Sequence, residues 1–209
     1  MAKRKSTRKK KGQVNLNLGC NRRALRGFVN VDMHPFPGVD VVHDLTKIPW
    51  PWDDDSVDFI RVVDLIEHMP TWFKNGFMNE AWRVLKKDGT GKMQILVPHG
   101  LFAGAHQDPT HKSYWVENSF CYYAVYEDED GKLKSHPWRR LYAPHEIQAA
   151  FEIQVGTSDP SPPDPSPAGN YGGIVYITAV LTARPDPQDC ENPYDNHLHT
   201  GSDPAESDE

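Results

Sequence analysis

The chain has 209 residues, a formal net charge of −6 and 38% hydrophobic residues, a hydrophobic share below that of most globular domains. That length suits one domain with tails. No apolar run is long enough to span a membrane, and the basic start lacks the apolar core of a secretory signal. Cys20, Cys121 and Cys190 form no CxxC pair, which argues against a disulfide scaffold and for a reducing compartment. The expectation is a cytoplasmic protein with no membrane contact.

The charge is segregated. Residues 1–12 hold seven basic side chains and no acid, whereas residues 185–209 hold eight acids and no Lys or Arg. Blocks of like charge are usually disordered. The expected organisation is therefore a basic arm over 1–12, a folded domain over 13–184 and an acidic tail over 185–209. The arm reads either as a solvated tail or as an attachment to nucleic acid or another polyanion.

The folded region opens with three short apolar runs. Val14–Leu18 ends in Gly19, Phe28–Val31 ends in Asp32, and Val39–Val42 ends in His43 and Asp44. As strands of an open α/β sheet, they place a glycine turn and two carboxylates beyond their carboxyl ends, where such sheets bind ligands. Glycine lets the backbone approach a ligand, and the acids can accept hydrogen bonds from ribose hydroxyls and an adenine amino group. Only twelve residues lie between Gly19 and Asp32, too few for a crossover helix plus a strand, so the first crossover should be a single turn or a loop.

The prolines of Ile48–Asp55 exclude a regular helix; its two tryptophans either cover a pocket or pack the loop onto the body. Val57–Val63 reads as a strand buried on both faces. Thr71–Lys87 reads as a helix with an apolar face of Phe77, Met78, Ala81, Trp82 and Leu85, with Lys86 and Lys87 in its last turn and a stop at Asp88–Gly89. Lys92–Val97 is the fifth strand. Cys121–Arg140 reads as an inserted hairpin turning at Asp130–Gly131. A short helix over Pro144–Phe151, a strand over Phe151–Gly156, a Pro/Ser-rich loop over Ser158–Gly173 and a last strand over Ile174–Ala183 complete the chain.

From Val14 to His99, the succession VNLNLGCN, GFVNVD, DDDSVD, DLIEHM, EAWRVLKKDG and ILVP resembles a class I S-adenosylmethionine-dependent methyltransferase of the methyltransferase 11 type. The resemblance implies a Rossmann-like, mostly parallel sheet flanked by helices, with one antiparallel strand near the edge. It implies S-adenosylmethionine as cofactor, held by Asn17, Gly19, Cys20, Asn21, Asp32, Met33, Asp44, Leu45 and Asp64. Asp32 would meet the ribose hydroxyls, and Asp44, with Leu45 beside it, the adenine amino group. Asn17 and Asn21 stand where many members have an acid and a second glycine; Asn tolerates left-handed backbone geometry better than most residues.

His99–Phe120 leaves the carboxyl end of the fifth strand and should hang over the methyl group. Three readings stay open for it. It is an acceptor-binding lid formed by His99, His106, Tyr114 and Trp115 with a histidine or Asp108 as proton acceptor, a metal site from His99, His106, Asp108 and His111, or a turn at Asp108–His111 that fixes the loop. His68 and His111 are the first choices for a general base, with Asp108 beside them, and no metal is assigned. The expected activity is methyl transfer to an acceptor that the sequence does not name. The alternatives are a non-catalytic module that binds the cofactor or a nucleoside, and a nucleic-acid-associated protein using the arm. Against a nucleic acid substrate, residues 13–184 are net acidic, and no NPPY-type motif is present.

Overall fold

The computed structural model describes residues 12–158 and 174–187. The basic arm over 1–11, the Pro/Ser-rich connection over 159–173 and the acidic tail from 188, with Cys190, lie outside the described residues, and so does the polyanion reading of the arm.

β1 (Asn15–Leu18), β2 (Val29–Asp32), β3 (Val41–Val42), β4 (Phe59–Val63), β5 (Lys92–Pro98), β8 (Phe151–Thr157) and β9 (Tyr176–Ala183) form one sheet in the order β3-β2-β1-β4-β5-β9-β8. β1 to β5 pair in parallel, and β9 runs antiparallel to both β5 and β8. This is the Rossmann-like α/β arrangement with one reversed strand near the edge that the sequence implied. Leu16, Leu18, Val31, Ile60, Val62, Met93, Ile95 and Val97 are all buried. In β4 and β5 they alternate with the half-buried Phe59, Arg61, Val63, Gln94 and Leu96, so one face of these strands is fully buried and the other only partly covered; the strand read over Val57–Val63 as buried on both faces is corrected to Phe59–Val63 with one buried face. No helix lies between β1 and β2; the short crossover is a loop with a turn closed by Arg23 N–H on the Cys20 carbonyl.

The helix read over Thr71–Lys87 is shorter. A 3-10 turn at Thr71–Phe73 precedes α1 (Lys74–Val84), which buries Phe77, Met78, Ala81 and Val84. At Leu85 the backbone becomes extended and bridges to Val57. Lys86 and Lys87 therefore sit outside the helix; their ammonium groups pair with Asp58 and Asp55, and that of Lys87 also donates to the Arg83 carbonyl of the helix's last turn at 3.1 Å.

Trp50 is 2% exposed and meets Phe77 edge-on at 5.4 Å. Its backbone N–H donates to Glu80 Oε1 at 2.6 Å and its indole N–H to the Leu45 carbonyl at 2.9 Å. The tryptophan loop packs onto the body, the second of its two readings. Glu80 also pairs with the Arg83 guanidinium at 2.5 Å, and Asp54 does so at 2.6 Å.

Between β5 and β8 lie α2 (Ala103–His106), a 3-10 segment at Glu117–Tyr123, the hairpin β6 (Val125–Glu127) and β7 (Leu133–Ser135), and α3 (Pro137–Glu146). The inserted hairpin exists but occupies only the middle of Cys121–Arg140. The helix read over Pro144–Phe151 is misplaced: it begins at Pro137, whose fixed φ and missing N–H suit a first turn, and it ends at Glu146. No helix among the described residues is long and apolar enough to cross a membrane.

Candidate cofactor and acceptor site

Gly19, Asn21, Asp32 and Met33 share one cavity of about 520 Å³ with Asp44, Leu45, Asp64 and His68. It lies beyond the carboxyl ends of β1 to β4, where an open α/β sheet takes its ligands. Gly19 has φ +63°, and a Cβ there would come within 2.6 Å of Leu65 Cδ1. The positive φ favours glycine, and a Cβ would also force the Leu65 side chain to move. Asn21 follows in the same left-handed region, at φ +48°.

Asp32 does two things at the end of β2. It is 8% exposed. Its Oδ2 accepts the Asn21 N–H at 2.8 Å, and its Oδ1 accepts the His34 N–H at 2.9 Å. The carboxylate thereby fastens the glycine turn to the second strand end. Each oxygen keeps further capacity to accept a hydrogen bond.

Asp44 Oδ1 accepts the Thr46 hydroxyl at 2.7 Å and the Thr46 N–H at 3.0 Å. These bonds, the hydroxyl first, hold its carboxyl below the usual carboxylate range. Asp44 stays charged and acceptor-only, which suits an amino-group donor.

Asn17 and Cys20 stand apart from this cavity. Both line a smaller one of about 150 Å³ beneath the glycine turn, shared with Arg23, Arg61 and Asp64. Asn17 is 1% exposed. Its amide N donates to the Asn30 side chain at 3.0 Å and to the Arg23 carbonyl at 3.1 Å, while its Oδ1 accepts from Arg61 at 3.3 Å. Both donors are consumed, so its observed work is to tie β1 to its neighbours. Burial pushes the Cys20 thiol pKa up, and the charge of Asp32 adds to this.

Asp64 opens on both cavities. It has φ +49°, its Oδ2 lies 3.5 Å from the Arg23 guanidinium, and its Oδ1 is buried with no hydrogen-bond partner among the described residues. That leaves a carboxylate oxygen able to accept from an ammonium group.

The loop after β5 corrects several expectations. Trp115 is 3% exposed and lies in the core against Phe120, its indole N–H donating to Ser113 Oγ at 3.1 Å. His99 is buried; its Nε2–H reaches Glu117 at 3.1 Å, and its Nδ1 accepts the Leu101 N–H at 3.1 Å. His106 stacks on the exposed Tyr114 at 4.3 Å and bonds the Gly100 carbonyl. None of these four lines the 520 Å³ cavity, and the metal set His99, His106, Asp108 and His111 is not assembled among the described residues.

The turn reading of Asp108–His111 is what the structure contains. Asp108 Oδ1 accepts the Thr110 hydroxyl and the Thr110 N–H, each at 2.7 Å, which holds the carboxyl below its usual range. This turn brings His111 against His68, with ring centroids 4.8 Å apart. Two of the three proposed proton carriers are thus neighbours, at a point where His68 also lines the cavity.

Sequence analysis gave Glu67 no role. It is 2% exposed. Burial pushes its carboxyl pKa up to about 7, and the charges of Asp64 and Asp108 add to the rise. The N–H groups of Glu67 and Leu65 lie near enough to oppose that rise but not in hydrogen-bonding geometry. Leu65, Met69, Phe36 and Lys112 were also missed as cavity walls. The first three follow strand ends, a positional signal that was available; Lys112 arrives only through the tertiary fold.

Residues 19–91 match the family model described as a methyltransferase domain, in agreement with the class I resemblance read from the sequence. Among solved structures, a SAM-dependent methyltransferase from Archaeoglobus fulgidus is similar over 81% of this chain and 86% of its own, at 13% identity and a TM-score of 0.53. The YcgJ protein of Bacillus subtilis is similar over 82% and 92%, at 11% identity and a TM-score of 0.52. At these identities the likeness is one of fold. No curated protein sequence matches the chain.

Proposed function

We propose that this chain is an S-adenosylmethionine-dependent methyltransferase that holds its cofactor in the 520 Å³ cavity. The observation that carries this reading is the convergence of Gly19, Asp32 and Asp44 on one cavity at successive strand ends. In this reading Asp32 accepts from the ribose hydroxyls, Asp44 from the adenine amino group, and Asp64 from the methionine ammonium. Asn21, Met33 and Leu45 supply wall and backbone contacts; Asn17 and Cys20 act from beneath the turn.

The sulfonium of the cofactor already carries a good leaving group. The chain's contribution is therefore alignment of donor and acceptor and exclusion of water. His68 stands at the cavity wall with His111 behind it, the position from which a proton would be taken when the acceptor needs to lose one. The acceptor is expected to meet the methyl group beside His68.

Titration calorimetry with S-adenosylmethionine and with its demethylated product tests the reading. Binding of both, lost in Asp44→Ala, supports it; no binding by a folded sample rejects it. Conversion of the bound cofactor to the demethylated product separates an enzyme from a module that binds without turnover. The polyanion reading of the basic arm stands on composition and has its own test. It requires salt-sensitive nucleic acid binding that disappears on deletion of residues 1–12.

A further inference from the structure

Glu67, His68 and His111 form one group whose ligand-capable atoms all lie within 4.8 Å of one another. Their hydrogen bonds point to a use beyond proton transfer.

Both imidazoles have an assigned tautomer. His111 Nδ1 lies 2.7 Å from the Ala105 carbonyl. A carbonyl only accepts, so Nδ1 carries a proton, and in the neutral ring Nε2 then keeps its lone pair. His68 Nδ1 lies 3.3 Å from the Thr110 carbonyl and 3.1 Å from Thr110 Oγ1. That hydroxyl gives its own proton to Asp108, so it accepts from His68, whose Nε2 is likewise left as a lone pair. Imidazoles oriented by carbonyl acceptors on the far nitrogen are the usual supporting arrangement for metal ligation.

The carboxylate supplies the second, independent observation. Glu67 is 2% exposed, and neither of its carboxylate oxygens has a hydrogen-bond partner among the described residues. A buried carboxylate with no donor is strongly disfavoured. Nearby, the His111 Nε2 lone pair lies 3.8 Å from Asp108 Oδ2. Ring nitrogens and carboxylates are gathered around a point to which, among the described residues, no lysine or arginine is bonded.

We propose that Glu67, His68 and His111 form a binding site for a divalent first-row transition metal ion, with Zn²⁺ the ion best suited. Two neutral imidazoles and one carboxylate are a donor set that such ions accept, and three protein ligands leave a position open. Bonds of about 2.0–2.1 Å require the ligand atoms to draw closer than 4.8 Å. Glu67 can make most of that movement, because its carboxylate has no hydrogen bond to break. His68 is shared with the cavity wall, so the open position lies beside the proposed methyl-transfer site. The metal site itself does not depend on that functional reading.

The test uses the full chain, stripped with a chelator and titrated with Zn²⁺ against a chromophoric competitor, and separately loaded with Co²⁺ for visible spectroscopy. The expected result is one high-affinity Zn²⁺ per chain. Losing a supporting contact alone costs 10–100-fold in affinity, so His111→Ala and Glu67→Gln should each weaken binding by roughly 100-fold. His136→Ala, outside the group, should bind as the unsubstituted chain does. Unchanged affinity in both His111→Ala and Glu67→Gln, or no binding by the unsubstituted chain, overturns the proposal. If either variant loses its circular dichroism, the Co²⁺ form of the unsubstituted chain decides. Intense bands of a low-coordinate site support the proposal, and the weak spectrum of hydrated Co²⁺ overturns it. Cofactor titration on the same samples shows separately whether the methyltransferase reading stands.

Discussion

The backbone N–H of Asn21 donates to Asp32 Oδ2 at 2.8 Å, so the carboxylate proposed to meet the ribose also fixes the turn that would lie against the cofactor. Binding and folding are therefore joined at Asp32. Asp32→Ala leaves two N–H groups without their acceptor and should cost about 1–3 kcal/mol, as well as abolishing cofactor binding. Urea denaturation of the ligand-free protein measures the first effect. Asp44→Ala should lose binding with a smaller cost in stability, because its bonds to Thr46 are local. Equal stability of Asp32→Ala and the unsubstituted chain would remove the structural role.

Gly19→Ala places a methyl group against Leu65 and an L-residue in a left-handed backbone. The backbone alone costs about 1–2 kcal/mol. Adding Leu65→Ala should relieve the collision but not the backbone strain, so the double variant should bind the cofactor better than Gly19→Ala while remaining weaker than the unsubstituted chain. Calorimetry on the three proteins ranks them; a double variant no better than Gly19→Ala would place the whole penalty in the backbone.

The Thr46 bonds set a pH signature. Asp44 has a folded pKa below its unfolded one. Its stabilising contribution is therefore present above the unfolded value, near 3.9, and is lost as the pH falls through the folded value. Thr46→Val removes the hydroxyl and should cost about 0.5–1 kcal/mol at pH 7, with the difference shrinking below about pH 3.9. Denaturation curves at pH 7 and pH 3 check this. A difference that grew in acid would contradict the assignment.

Glu80 is 7% exposed and accepts from Trp50 N–H and twice from Arg83. Glu80→Ala removes one partner of a largely buried pair and unfastens the Trp50 loop, at about 3 kcal/mol. The same denaturation assay, with Trp50 fluorescence as a second probe, should register both effects. A loss below about 0.5 kcal/mol, the scale of an exposed pair, would show that water replaces the carboxylate there.

The strand ends were legible because their chemistry is local. Gly19, Asp32 and Asp44 each follow an apolar run, and the parallel sheet places such positions on one rim. The distance from Gly19 to Asp32 excluded a crossover helix by chain length alone. Asn21 was readable as a left-handed residue for the same local reason. Trp115 and His99 were misread because residue type alone does not separate a ligand-facing aromatic from one swallowed by the core. Lys86 and Lys87 were placed in a helix that Leu85 leaves early to bridge with Val57, a tertiary contact with no periodic signature. Glu67 and His68 meet His111 only because the turn at Asp108–Thr110 folds back on the rim, and nothing in the spacing of the histidines announces that.

One carbonyl constrains how anything enters. The Glu67 carbonyl accepts the N–H of Lys112 at 2.8 Å and of Ser113 at 3.0 Å, and Ser113 Oγ donates to the neighbouring Ile66 carbonyl at 3.2 Å. The stretch after the Asp108–His111 turn is riveted to the rim at this point and cannot lift without breaking all three bonds together. Traffic of a nucleoside-sized molecule is thereby directed to the opposite shore of the cavity, where Met33 is 58% exposed. In hydrogen exchange, the amides of Lys112 and Ser113 should stay protected through a full cycle of loading and release, while those around Met33 exchange with each passage.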